Sequence, residues 1–337
     1  MKKQFRKFFG ILTFAALIAF IIACQPIAGG PGVAPPPPEP TEPGTTTRNL
    51  SHWLPSLAGN QWDTTVYIID SGVPGANLLL VGGTHGNETA GWLAAERFVE
   101  YAVVTTGRAY VIPRLNEAAI AANNRRTPHQ YHMYPGWQDP PTFSPPGSNV
   151  ILDGNEARNV NRAYPGSDNM GLTQRLALAV MNLLYSQHIH IAIDMHEAVP
   201  SSTIGGGLAW TIIAANQNGG LNVSVRNSAV ASLNNTNLMA FLAANNNNRI
   251  METRAGISQE ISHSSWGAPR GALAFLTETG NPNQIASGPT PAQLAAPHHQ
   301  IDFRVAVQLE AVRFIVQHAS AVLPVSFAFT GIPVFTP

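Results

Sequence analysis

The chain has 337 residues, in which 19 Lys and Arg balance 19 Asp and Glu. Charged residues make up only 11% of it, against about 25% in an ordinary soluble domain, so Asn, Gln, Ser and Thr must supply much of the polar surface, and there is no excess of basic charge to bind nucleic acid. Cys24 is the only cysteine, which excludes an intramolecular disulfide framework.

The N-terminus reads as an address. Lys2, Lys3, Arg6 and Lys7 form a basic region, and the apolar run from Phe8 to Ala23 is too short to cross a bilayer comfortably. The run ends in IIAC, and a small residue directly before Cys24 resembles a bacterial lipoprotein signal, in which that cysteine becomes the lipid-modified N-terminus. The expectation is a signal peptide over residues 1–23, lipidation at Cys24, and an extracytoplasmic chain anchored to a bacterial membrane. All three lysines lie in the signal, so the remainder holds 15 Arg against 19 acidic residues, a formal charge of −4. The following stretch contains GGPGVAPPPPEPTEPGTTT, which has no apolar period and cannot bury a core. It predicts a tether over residues 24–52, leaving residues 53–337 for one sizeable domain.

Within that domain, short β-rich runs recur at Thr65–Asp70, Asn77–Gly83, Ala109–Arg114, His190–His196, Trp210–Ala215 and Ala272–Gly280. Several are continuously apolar, as strands covered on both faces are. Between them, Thr89–Val103, Leu172–Gln187 and Ile301–Ala319 repeat apolar residues at helical spacing. The alternation predicts an α/β fold with a mixed, mainly parallel twisted sheet and helices on both faces. The Pro-, Asn- and Gly-rich connection from Asn123 to Ser148 holds no clear element and is read as a loop over the rim of the sheet.

Ligands of such sheets bind outside the carboxyl ends of the strands. His85 and Glu88 follow one strand in LLLVGGTHGNETAG, His196 ends a second, and Glu278 ends a third. The two glycines before Thr84 permit a tight turn, and a helix starting near Glu88 would put positions i and i+3 on one side. Zinc in a catalytic site takes about three His or carboxylate ligands and leaves one position open; His85, Glu88 and His196 meet that count. Taken singly, each has a plainer role, as a loop histidine, a first-turn charge or a satisfied strand-end histidine. Glu278 could take a proton from water and return it to a leaving amine. In RNVNRAYPG, Asn161 and Arg162 stand before a turn, where a guanidinium fork could hold a substrate carboxylate.

GGTHGNE, NVNRAYPG, DMHEA and TETG, in that order, resemble the motifs of the zinc metallocarboxypeptidase clan, and most closely those of its succinylglutamate desuccinylase/aspartoacylase branch. The likeness runs from about Val66 to Gly280. It implies a zinc carboxypeptidase-like sheet of about eight strands and one Zn2+ held by His85, Glu88 and His196. It also implies that Asn161 and Arg162 bind a substrate carboxylate and that Glu278 is the general acid and base. Where that family usually carries Asp, this chain has Asn159, which removes a carboxylate that would orient a ligand histidine; Asp194 is the residue that could replace it. A second arginine for the substrate can be sought among Arg125, Arg126 and Arg158, and Arg126 is carried forward.

The function expected is hydrolysis of an amide bond next to a free carboxylate, either in N-acyl amino acids or at the C-terminus of peptides. The competing reading is a binding lipoprotein that keeps the fold without the chemistry. His188, His190, His298 and His299 are assigned structural roles, whereas His129, Tyr131, His132 and Tyr134 lie in the rim loop within reach of a substrate. Glu197 should face away from His196 if the strand continues through it.

Overall fold

A computed structural model describes residues 43–132, 142–143, 151–200, 207–215, 217–255 and 271–334. Cys24, the signal segment and the greater part of the Pro-rich stretch lie outside the described residues, as does Tyr134.

The apolar runs become the middle of one eight-stranded sheet. Its strands are β1 (Gly44–Asn49), β2 (Thr65–Asp70), β3 (Asn77–Val81), β5 (Arg108–Ile112), β8 (Ile191–Ala198), β9 (Thr211–Ala214), β10 (Glu252–Ala255) and β11 (Leu273–Gly280), in the spatial order β1-β2-β5-β3-β8-β11-β9-β10. The four central strands β5, β3, β8 and β11 run parallel, and β10 runs parallel to β9. The pairs β1–β2, β2–β5 and β11–β9 are antiparallel. The sheet is therefore mixed and mostly parallel, with the number of strands expected. Two short ladders lie apart from it: β4 (Val103–Thr106) with β12 (Ala328–Thr330), and β6 (Thr142–Phe143) with β7 (Leu152–Asp153).

The helices are α1 (Thr89–Tyr101), α2 (Glu117–Ala121), α3 (His129–His132), α4 (Val160–Ala163), α5 (Leu172–Ser186), α6 (Leu221–Asn234), α7 (Asn237–Asn245), α8 (Pro291–Ala295) and α9 (Ile301–Val322). Side chains alternate across a strand, and the two cores follow that period. Leu78, Leu80, Ile193 and Phe275 pack with Phe98 of α1, Val230 of α6 and Val312 of α9. Leu79, Val81, Ala192 and Ala274 pack with Leu176 and Leu184 of α5 on the other face. Each such Leu, Ile or Phe contributes about 1.5–3 kcal/mol on burial, so the central strands have no alternative register that keeps both faces dry.

The folded body starts earlier than residue 53. Gly44–Asn49 pair residue by residue with Asp70–Thr65, and Leu50 and Trp53 are buried against Val66, Tyr110 and α5. The polar sequence GTTTRN hides this strand because it contributes backbone hydrogen bonds rather than apolar surface. The loop from Asn123 onward also holds more structure than its composition suggests: the single-turn α3, the strand β6, and below them a buried cluster of Asn116, Thr127 and Thr173.

Candidate metal centre

The strand β3 ends at Val81, and the chain turns at once. Gly83 has φ +69°, in the left-handed region that favours glycine. Gly86 is needed for space, since a Cβ there would lie 2.0 Å from the carbonyl carbon of Ala119. The turn is held by Leu115 and Asn116, whose amides donate to the carbonyls of Gly82 and Gly83 at 3.0 Å each. The result delivers His85 and Glu88 to the carboxyl end of the sheet. They are not on a helix face, as the spacing suggested. The helix α1 begins at Thr89 with Glu88 at its N-cap, and the pair converges through a turn in which the Glu88 amide donates to the His85 carbonyl.

His85, Glu88 and His196 meet in one buried group, each 1% exposed. His85 Nδ1 stands 2.7 Å from Glu88 Oε1, His196 Nδ1 stands 2.9 Å from Glu88 Oε2, and the two Nδ1 atoms are 3.1 Å apart. The separation of two ligands on a tetrahedral zinc with bonds of 2.0–2.1 Å is about 3.3 Å, so the two Nδ1 atoms and a Glu88 carboxylate oxygen need little adjustment to share one ion. The donor chemistry fits as well: two imidazole nitrogens and a carboxylate are a set that zinc accepts.

The protonation states follow from burial and charge. Burial, reinforced by the Arg125 guanidinium, lowers the His85 pKa to about 4 and keeps that ring neutral. For Glu88, burial opposes ionisation, but the two histidines outweigh it and hold the carboxyl well below its usual range. For His196, burial disfavours the charge, whereas Asp194 and Glu88 together raise its pKa well above that of a free imidazole.

Both histidines are gripped from behind. His85 Nε2 donates to Asn159 Oδ1 at 2.9 Å, which leaves the lone pair on Nδ1 facing the group. The amide of Asn159 therefore does for His85 what a carboxylate would. Its own nitrogen donates to Glu156 Oε2 at 3.0 Å, fixing which end faces the ring. The expectation that Asp194 replaces a missing partner is corrected: Asp194 serves the other histidine, with Oδ2 standing 2.9 Å from His196 Nε2 and Oδ1 accepting from Thr84 Oγ1 at 2.8 Å.

Glu278 reaches the same place by register. It is the residue of β11 paired with His196 of β8, so the two side chains leave adjacent strands on one face, and Glu278 is 5% exposed. Asn161 and Arg162 lie on the single-turn helix α4, directly after the Asn159 that holds His85. Asn161 is buried, and Arg162 Nε is 3.9 Å from Glu156 Oε2. Among the three arginines considered beside them, the structure separates roles that the sequence left open. Arg126 pairs with Glu156, and Arg158 braces the loop by donating to the Thr127 carbonyl at 2.8 Å. Arg125 is the one that enters the group, with Nη1 donating to Glu88 Oε1 at 2.6 Å. Arg126, the residue carried forward for the substrate, is held by Glu156, and Arg125 is the arginine that reaches the metal group. The segment that carries both arginines is fixed at Thr127, which bonds to Asn116 and Thr173, and at Asn124, whose carbonyl accepts from the Gly86 amide.

Glu197 faces the opposite side of β8, as alternation requires. His190 accepts from the Asn77 amide at the far end of the sheet, and His298 and His299 meet edge to face before α9. All three fit structural roles.

Comparison with known proteins follows the same outline. The family model of the succinylglutamate desuccinylase/aspartoacylase catalytic domain matches residues 74–205, a span that contains His85, Glu88, Asn159, Asn161, Arg162 and His196 but not Glu278. A sequence search of curated proteins returns no match. Among solved structures, the chain is similar to a succinylglutamate desuccinylase/aspartoacylase from Rhodobacter sphaeroides, with a TM-score of 0.50 and 16% identity over 85% of this chain and 68% of that one. It is similar also to an aspartoacylase family protein from Mesorhizobium loti, with a TM-score of 0.50 and 18% identity over 82% and 68% of the two chains. A third is the mDAP-bound form of Csd4 from Helicobacter pylori, a D,L-carboxypeptidase, at 0.50 and 16% over 75% of this chain but only 52% of that one. At such identities the solved structures establish a shared fold.

Proposed function

We propose, from the premise that residues 74–205 are a succinylglutamate desuccinylase/aspartoacylase catalytic domain, that this protein is a zinc-dependent hydrolase of amide bonds next to a free carboxylate. The observation that carries the reading is the convergence of His85, Glu88 and His196 on one point, with Glu278 in register beside them. A zinc ion held by these three residues supplies Lewis acidity toward the scissile carbonyl and the attacking water. Glu278 takes a proton from the water as its oxygen adds to the carbonyl carbon, and returns that proton to the nitrogen as the C–N bond breaks. Arg162 and Asn161 hold the substrate carboxylate, and Arg125 adds positive charge on the side of Glu88. The forked guanidinium contact fixes the distance between that carboxylate and the bond to be cut.

Two substrate classes suit this arrangement: N-acyl amino acids, as in the family, and peptides ending in a free carboxylate, as for the carboxypeptidase named above. A lipid anchor at Cys24, read from the sequence, would place the domain outside the cytoplasm and in reach of cell-wall peptides. The deciding experiment measures turnover of a panel of N-acyl amino acids and short peptides, with and without a chelator. Hydrolysis that stops on chelation and returns with zinc is the expected result. Bound zinc with no turnover on any member of the panel would favour the binding lipoprotein instead.

A further inference from the structure

We infer that Glu197, together with Arg304, is a positioning residue that sets the geometry of the metal group from the opposite face of the sheet; the inference rests on the metal reading above. Glu197 is 1% exposed and has no route to the substrate side of β8. Its carboxylate nonetheless gathers four donors. Oε2 accepts from the Ala90 amide at 2.9 Å and from Asn281 Nδ2 at 3.0 Å, while Oε1 accepts from Thr279 Oγ1 at 3.2 Å and pairs with Arg304 Nη1 of α9.

Those donors belong to the chain segments that carry the metal group. Ala90 lies two residues after Glu88, in the first turn of α1, so the carboxylate binds the positive end of the helix whose N-cap is a ligand. Asn281 Nδ2 also donates to the carbonyl of Asn87 at 3.0 Å, and the Asn281 amide donates to the carbonyl of Ala198 at 2.8 Å. Thr279 is the neighbour of Glu278. Glu197 itself follows His196, and its backbone amide donates to Glu88 Oε2 at 3.0 Å. One side chain thus joins the segments that present Glu88, His196 and Glu278. Gln308 of α9 completes the frame by donating to the His196 carbonyl at 2.6 Å.

A buried carboxylate–guanidinium pair is a poor device for stability alone, since desolvation offsets much of its attraction and apolar residues of similar volume often do as well. A hub with four directional acceptor contacts does something an apolar residue cannot, which is to fix three chain segments relative to one another. Partners that orient metal ligands typically change metal affinity or activity by about 10- to 100-fold when they are removed.

The test uses the full chain and two probes, zinc in competition with a chromophoric chelator and cobalt(II) followed by its visible absorption. Glu197→Gln is nearly isosteric, but its amide nitrogen must face two donors whichever way it turns. We expect a 10- to 100-fold weaker zinc affinity and an altered cobalt spectrum in a protein that still melts cooperatively. Asn281→Ala removes one of the four contacts to Glu197, together with the bond to the Asn87 carbonyl, and retains the ion pair; it is the variant that decides if Glu197→Gln does not fold, and a shift of both probes in the same direction is expected. Wild-type binding with both readouts unchanged in the folded variants would overturn the inference and leave the metal reading standing. A wild-type chain that binds neither ion would overturn the metal reading itself, and the inference with it.

Discussion

Replacing Asn159 by Ala isolates the contribution of the residue in which this chain departs from the family pattern. The His85 ring is fully buried, and Asn159 Oδ1 is the acceptor for its Nε2 proton. Without it, that proton has no partner, at a cost of about 1–3 kcal/mol for a buried donor. Loss of a residue orienting a metal ligand is associated with about a 10- to 100-fold drop in affinity, which at 1.4 kcal/mol per tenfold corresponds to about 1.4–2.8 kcal/mol. The two independent figures agree, so the zinc Kd of Asn159→Ala should rise by one to two orders of magnitude. Stability should fall as well, since Asn159 caps α4 by accepting from the Asn161 amide, a contact worth about 1 kcal/mol. Asn159→Asp provides the control. It restores an acceptor for His85 but sets a carboxylate oxygen against Glu156 Oε2, where an amide now donates at 3.0 Å. Its zinc Kd should return at least to the wild-type value while its melting temperature stays depressed. Chelator competition and thermal unfolding read the two quantities separately. An unchanged Kd in Asn159→Ala would refute the assignment of His85 Nδ1 to the metal.

Glu278→Gln should retain its zinc and lower kcat by about 10²- to 10⁴-fold; turnover at the wild-type rate would remove Glu278 from the mechanism. Arg162→Ala should raise KM for substrates with the free carboxylate more than for amidated analogues, whereas Arg126→Ala, which breaks a pair with Glu156, should leave that preference intact; comparing kcat/KM on both substrate types checks this. Cys24→Ser should abolish incorporation of radiolabelled lipid and release the protein from membranes, because a lipid chain is then missing from the proposed anchor; membrane retention after verified signal cleavage would count against lipidation.

Much of this architecture is legible in the sequence because the central strands bury both faces. LLLV at 78–81, IAI at 191–193 and AFL at 274–276 leave only one kind of element that can accommodate them, and helices with a single apolar face must cover it. The edges are harder to read. In β1 and β10 the sequences GTTTRN and ETRA hold place by ladder hydrogen bonds, which carry no side-chain signature. The helices α6 and α7 escape notice because Asn and Ser dilute their apolar spacing; they bury Val225, Val230, Leu238 and Leu242 all the same. At the site, the residue types and order point to the metal group, since few other arrangements need His and Glu after one strand and His at the end of another. Orientation is another matter. Whether Arg125 or Arg126 turns inward, and whether Glu88 sits on a helix or caps it, depends on Gly83, Gly86 and Thr127 packing against residues distant in sequence.

The position of β1 bears on how the domain behaves once cut free of its N-terminal segment. Its exposed threonines and Arg48 form a polar edge that shields β2, whose TVYIID sequence would otherwise present an unpaired ladder with apolar side chains to any neighbouring molecule. The opposite edge, β10, is shorter still and carries Glu252 and Arg254. A soluble form beginning at Trp53 would lack the whole of β1 and leave that ladder open to self-association, whereas one beginning at or before Gly44 keeps both margins of the sheet closed. Domains brought together by the proposed lipid anchor would depend on six largely polar residues to stay separate.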